Sequence, residues 1–155
     1  MARLKCICGE GLSNTNVPSE NIVQVFKLSE VEKALAANSG ITLFDYETSL
    51  NEDFEFWYCS VCKRVYVVEN IPNGKIVASY KECSAYEYVA SQGFTPVYIF
   101  NYVDIYNAEE NNPSLLLSEF IKINGEEHLY YLSADRGNVY KATNVDRYLC
   151  VYSKE

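Results

Sequence analysis

Two short cysteine pairs constrain this chain more than any other feature. One is Cys6-Ile7-Cys8-Gly9 in "KCICGEGL"; the other is Cys59-Ser60-Val61-Cys62 in "FEFWYCSVCKRVYVVEN". If they share one site, the stretch from Gly9 to Tyr58 must leave the first pair and return to the second. Such a detour costs little extra, because loop-closure entropy grows only logarithmically with length. Zinc takes four soft or borderline ligands in a tetrahedron, and short-spaced cysteine pairs in tight turns supply two each. Gly9 lets the backbone amides after the first pair curl toward the sulfurs. Lys63 and Arg64 place positive charge after the second pair, which favours thiolates.

The pattern favours Cys6, Cys8, Cys59 and Cys62 as ligands of one structural zinc ion. A redox pair, local disulfides and merely buried thiols are the alternatives. Redox chemistry of the C-x-x-C kind needs the first cysteine at a helix N-terminus, whereas "KRVYVVEN" after Cys62 has strand character. Four cysteines close the coordination shell, and a catalytic zinc site keeps one position open. Cys83 and Cys150 have no close cysteine or histidine in sequence and read as small buried hydrophobes. His128, the single histidine, reads as structural or exposed.

The chain has 155 residues, the size of one domain, and the reading is a single domain over 1–155. It divides into a zinc-ribbon-like half over about 1–83 and an acidic, tyrosine-rich half over about 84–155. Strand character is expected around Arg3 to Cys8, over Asn21 to Leu28, and in "EFWYC" and "RVYVVEN". Asn73-Gly74 predicts a hairpin joining Arg64–Asn70 to Lys75–Glu82. "TPVYIFNYVDIYN", "HLYYLS", "NVYKAT" and "RYLCVYS" complete the strands. Ser29 with Glu32, and Ser84 with Glu87, have capping-box spacing. They predict helices over about Glu30 to Asn38 and from Ser84 to near Gly93. A third helix is expected from Pro113, with Gly125 just past its end. "ITLFDYETSLNED" reads as irregular, with a short strand at Ile41 to Phe44. The class is α+β: a mostly antiparallel sheet with three short helices.

One internal echo is present. "WYCSVCKRVYVVEN" and "YYLSADRGNVYKATN" share an aromatic pair, a serine, a basic turn and a Val-Tyr strand, with one extra residue in the second. Leu132 and Asp135 then stand near the cysteine positions.

Net charge is −8, and from Ser84 onward ten acids face five bases. Such a surface repels phosphate backbones, so direct nucleic-acid binding is not expected. No apolar run is long enough for a signal peptide or a membrane span, so a cytoplasmic protein is expected. No phosphate-binding glycine loop, nucleophile elbow or H-E-x-x-H motif occurs. The carboxylate clusters (Glu52, Asp53 and Glu55; Glu109 and Glu110; Glu126 and Glu127) read as solvated loops. The reading is therefore not an enzyme. Fourteen tyrosines among many acids suit a surface that covers a basic protein, with carboxylates steering and tyrosines anchoring.

"KCICGEGLSNTNVPSE" followed by "EFWYCSVCKRVYVVEN" resembles a group of small, poorly characterised bacterial proteins. These carry a C-x-C-G knuckle, then an aromatic residue before C-x-x-C, then an R-[IV]-Y-[VF] strand. The resemblance covers the first half of the chain and implies zinc at Cys6, Cys8, Cys59 and Cys62. Size, acidity and tyrosine content resemble immunity proteins of bacterial toxin systems. That second resemblance implies a protein partner, a basic toxin domain, neutralised by occlusion of its active surface. The alternatives are a zinc-ribbon accessory factor in a nucleic-acid-associated complex and an enzyme with an unrecognised carboxylate site.

Overall fold

The computed structural model describes residues 3–50, 52–70, 74–83, 88–89 (backbone only), 93–143 and 147–155. In chain order the elements are β1 (Arg3–Lys5), β2 (Gly11–Ser13), β3 (Ile22–Lys27), α1 (Leu28–Ala37), α2 (Leu43–Ser49), β4 (Phe54–Tyr58), β5 (Val65–Glu69) and β6 (Ile76–Glu82). There follow β7 (Tyr88–Val89), β8 (Thr95–Asn101), α3 (Tyr102–Asn111), α4 (Leu117–Asn124), β9 (Leu129–Leu132), β10 (Asn138–Ala142) and β11 (Tyr148–Lys154). The strands β10-β9-β8-β3-β4-β5-β6-β11 run in that spatial order, all pairings antiparallel, and β11 also pairs with β10. The sheet thus closes into an eight-stranded barrel with no free edge among these strands.

This corrects the expected architecture. The chain is α+β, but the first half is not a zinc ribbon beside a separate second half. β3 to β6 and β8 to β11 are staves of one barrel, and β1 and β2 form a small hairpin outside it. Four helices are described, not three. Two of them, α2 and α3, occupy segments expected to be irregular or extended. Thr42 caps α2 by accepting a hydrogen bond from Asp45 N at 3.1 Å. α3 is rich in aromatic and β-branched residues, which favours strand locally. It is helical because Ile105 and Ala108, one helical turn apart, bury together against the core. The helix expected from Ser84 is corrected at Tyr88–Val89, which pair with β11 where it extends past β6. The Ser84–Glu87 capping box itself lies outside the described residues, as does Asn73. The hairpin that Asn73-Gly74 predicts is formed by β5 and β6. α1 starts at Leu28, so Ser29 lies inside it and makes no cap. α4 starts at Leu117 rather than Pro113 and ends at Asn124, with Gly125 just past it as expected.

Two β-α-α-β-β-β units follow one another, β3 to β6 with α1 and α2, then β8 to β11 with α3 and α4. Trp57 lies opposite Tyr66 as Tyr131 lies opposite Tyr140, each residue displaced by 74. Val25 pairs with Ile99, and Thr42 bridges Leu116, at the same displacement. In the third strand pair Val65 lies opposite Tyr80 and Val139 opposite Tyr152, so β6 and β11 are displaced by 72. Lys81 pairs with Ser153 at that displacement. In each such pair a residue meets its own counterpart, which marks a pseudo-two-fold axis. The echo seen in sequence is this repeat, β4–β5 against β9–β10. No extra residue is needed: the counterparts of Cys59 and Cys62 are Ser133 and Arg136.

The two buried clusters both lie on the outer faces of the barrel. α1 to α4 pack over β3 and β8, burying Phe26, Phe100, Leu43, Ile105, Leu117 and Phe120. The helix pairs are joined at the axis, where Leu43 N donates to Leu115 O (2.9 Å) and Leu117 N to Ile41 O (3.0 Å). The β1–β2 hairpin covers β4 and β5, burying Leu12, Trp57, Tyr66 and Val68 with Cys6 and Cys59. The lumen encloses a cavity of about 320 Å³.

Candidate metal centre

Each cysteine pair sits at the turn of a hairpin. Between β1 and β2, Cys6 N donates to Glu10 O (2.8 Å) and Gly9 N to Cys6 O (2.9 Å). Gly9 has φ +97°, a conformation that strains any residue with a Cβ. Between β4 and β5, Cys59 N donates to Arg64 O (2.9 Å) and Lys63 N to Cys59 O (2.8 Å), with Lys63 itself at φ 61°. In the repeat's other copy Ser133 N donates to Asn138 O, but the turn closes from Arg136 N to Ser133 O, one residue tighter. The cysteine turn is thus a distinct knuckle on a shared hairpin.

The outer-face packing of β1–β2 on β4–β5 brings the knuckles together. The four Sγ atoms of Cys6, Cys8, Cys59 and Cys62 lie within 4.8 Å of one another. Cys6 and Cys62 are 3.4 Å apart, and Cys8 and Cys59 3.7 Å. A tetrahedron with metal–sulfur bonds of about 2.3 Å has sulfurs about 3.8 Å apart, so the cluster can hold a metal ion. Cys6 and Cys59 are buried, Cys62 is half-buried and Cys8 exposed. One side of the cluster therefore rests on Trp57 and Leu12 and the other meets solvent.

Tyr66 was not singled out by the sequence, yet it touches both the sulfur and the knuckle backbone. Its hydroxyl lies 3.0 Å from Cys6 Sγ and accepts from Ile7 N at 3.2 Å. Burial, then the contact with Cys6, pushes its pKa up to about 12, so the hydroxyl keeps its proton and can donate it to the sulfur. Such outer-shell donors orient metal ligands. The only sequence signal was the "VYV" alternation after Cys62, which places Tyr66 on the face of Trp57. Arg64 acts as expected from its charge. Burial raises the Cys62 pKa, but hydrogen bonds from Arg64 N–H and guanidinium outweigh this and bring it to about 6. Arg64 also forks onto the Glu155 carboxylate, with contacts of 3.0–3.1 Å. Lys63 instead points over the Tyr58 ring, 5.9 Å from its centre. For Cys8, a hydrogen bond from Glu10 N–H lowers the pKa, but the neighbouring thiols together push it up to about 12. Within one cluster one sulfur favours the thiolate and another resists it, as expected where several thiols crowd together.

The other sequence candidates lie elsewhere. Cys83 and Cys150 form a disulfide, which corrects their reading as unpaired hydrophobes. The link joins the end of β6 to β11 across the barrel wall. His128 contacts Ile99 O through Nδ1 at 3.1 Å and packs on Phe100, at the rim of the lumen. Glu52 and Glu55 line a polar cavity of about 290 Å³ together with Glu47, which the sequence reading passed over. Burial raises the Glu47 pKa; burial and then Glu47 raise that of Glu52. Glu55 accepts a hydrogen bond from Trp57 Nε1 at 3.0 Å. The structure does not gather Glu126 and Glu127 into that cavity.

Fold and cluster together define a closed antiparallel barrel carrying an external four-cysteine centre. Over residues 2–110 the chain matches the family described as "Domain of unknown function (DUF8617)", and it belongs to that family. No curated protein and no solved structure matches it. Among the described residues, no helix is long and apolar enough to cross a membrane.

Proposed function

We propose that Cys6, Cys8, Cys59 and Cys62 hold one zinc ion as a closed structural site. We further propose that the chain is a non-catalytic, cytoplasmic binding protein, an immunity protein of a bacterial toxin system that covers the active surface of a basic toxin domain. The observation that carries the zinc reading is the approach of four sulfurs from two hairpins, with Tyr66 and Arg64 placed to support thiolates. All four ligands come from cysteine, so no coordination position is left for substrate. The binding reading rests on the net charge of −8, which would steer a basic partner. An accessory factor in a nucleic-acid complex is less well supported, because the knuckles sit on an acidic chain and belong to no zinc ribbon.

The test is metal analysis and a pull-down on the same native sample. We expect about one zinc per chain, lost in Cys59→Ser, and one stoichiometric basic partner. Less than about half a zinc per chain, unchanged by Cys59→Ser, would remove the zinc reading. Repeated absence of a basic partner would remove the immunity reading. One observation favours a second reading, an enzyme: the carboxylates of Glu47, Glu52 and Glu55 line one cavity. Loss of a measured hydrolytic activity in Glu52→Gln, with folding intact, would establish it.

A further inference from the structure

An eight-stranded barrel has an interior that side chains can just fill, or that can hold one small ligand. This barrel places its largest packed side chains outside. Trp57, Phe26 and Phe100, each about 1% exposed, face the hairpin or the helices rather than the lumen. The lumen wall instead carries Val25 and Ile99 at the pseudo-two-fold axis and a set of half-buried tyrosines, Tyr58, Tyr80, Tyr130 and Tyr152. None of these six belongs to either buried cluster. A barrel built for stability alone would fill this space, because interiors pack to crystal-like density.

The cavity of about 320 Å³ is roughly twice one that takes up benzene, so it has room for about a dozen non-hydrogen atoms. Its chemistry narrows the occupant. Among the described residues no Asp, Glu, Lys or Arg lines it, so a full charge would enter unpaired at high cost. Tyr80 donates its hydroxyl to Arg136 O at 2.8 Å. The hydroxyls of Tyr58, Tyr130 and Tyr152 have no hydrogen-bond partner among the described residues. All three line the same cavity. With Asn101 and His128 they are the polar groups on a wall otherwise made of aliphatic and aromatic side chains, the usual composition of a small-molecule site.

We propose that the barrel lumen binds a compact, uncharged, mainly apolar molecule of about a dozen non-hydrogen atoms carrying a hydrogen-bond acceptor. The apolar part lies against Val25 and Ile99, neighbours on one wall, and the acceptor meets the hydroxyls of Tyr58, Tyr130 and Tyr152. This site is separate from the metal centre and holds whichever partner the outer surface takes.

The test uses 2-acetylnaphthalene, a flat hydrocarbon with one carbonyl, titrated into the full chain carrying labelled valine and isoleucine methyls. We expect saturable binding with a dissociation constant below about 1 mM. The Val25 and Ile99 methyls should shift, while Val31, in the helical core, stays still. Val25→Trp, which fills the lumen, should weaken binding at least tenfold at an unchanged melting temperature. Ile99→Trp, its counterpart across the axis, gives a second filling variant should the first unfold. Tyr130→Phe should weaken 2-acetylnaphthalene about fivefold, the loss of one hydrogen bond, and leave naphthalene unaffected. Absence of saturable shifts at Val25 and Ile99 in the unaltered chain would overturn the proposal. So would equal binding by a folded lumen-filling variant.

Discussion

Tyr66 reaches from the strand after one knuckle to the sulfur and the backbone of the other, which makes it the most informative single residue. It lies under Cys6 and Ile7, while its own strand, β5, follows the turn that holds the other cysteine pair. Tyr66→Phe removes the donor and keeps the ring. It should leave zinc stoichiometry intact and lower zinc affinity about tenfold, read by competition with a chromophoric chelator. Unchanged affinity would reduce the hydroxyl to a packing role. Glu109 poses a different residue-scale problem. Its Oε1 is buried without a hydrogen-bond partner among the described residues, and burial, then Glu47 and Glu110, push its pKa up to about 7 from 4.5. A raised carboxyl pKa means the native state keeps a proton that the unfolded chain releases. The associated stability is present below the unfolded value and is lost as pH rises through about 7. Glu109→Gln should therefore raise the melting temperature at about pH 8 and leave it nearly unchanged at about pH 4. Equal shifts at both would show that the carboxyl is not the titrating group.

Among the elements, the helix pairs depend on burial far more than on capping. α1, α3 and α4 have no side-chain cap at the N-cap residue; Glu119 reaches back to Leu116 N at 3.4 Å. Leu117 is fully buried at the first turn of α4. Leu117→Ala should cost about 2–5 kcal/mol in chemical denaturation, the range for a buried leucine. A loss below about 1 kcal/mol would mean that this turn can collapse around the gap. These helices also show where local sequence is a poor guide. The strand pattern around Cys59 and the Asn73-Gly74 hairpin were legible, because alternation and turn chemistry are local. α3 was not, because "YVDIYN" is locally a strand and only the core beneath Ile105 and Ala108 makes it a helix. α2 was signalled by Thr42 with Asp45 three residues on, a capping spacing masked by the apolar run around it.

At the scale of the molecule, the barrel and the β1–β2 hairpin are held by different means. The barrel is closed by strand pairing and by the two helix pairs; the hairpin is attached through the cysteine cluster and the small core around Trp57. Removing the proposed zinc with a chelator should therefore speed amide exchange at Leu4 and Leu12 while β3 and β8 stay protected, as hydrogen-exchange mass spectrometry would register. Uniform deprotection of all strands would make the metal part of the barrel's own stability. By itself the sequence determined the knuckles, most of the strands and the cysteines that could share a metal. It also carried a trace of the repeat in "RVYVVEN" and "NVYKATN". These depend on residue type and short spacing, which act within a few bonds. Barrel closure, the pairing of Cys83 with Cys150, the place of Tyr66 beside Cys6 and the open lumen were decided only by the tertiary structure. Each depends on which strand lies beside which. That choice is made by burying apolar faces across the whole chain, and no local window contains it.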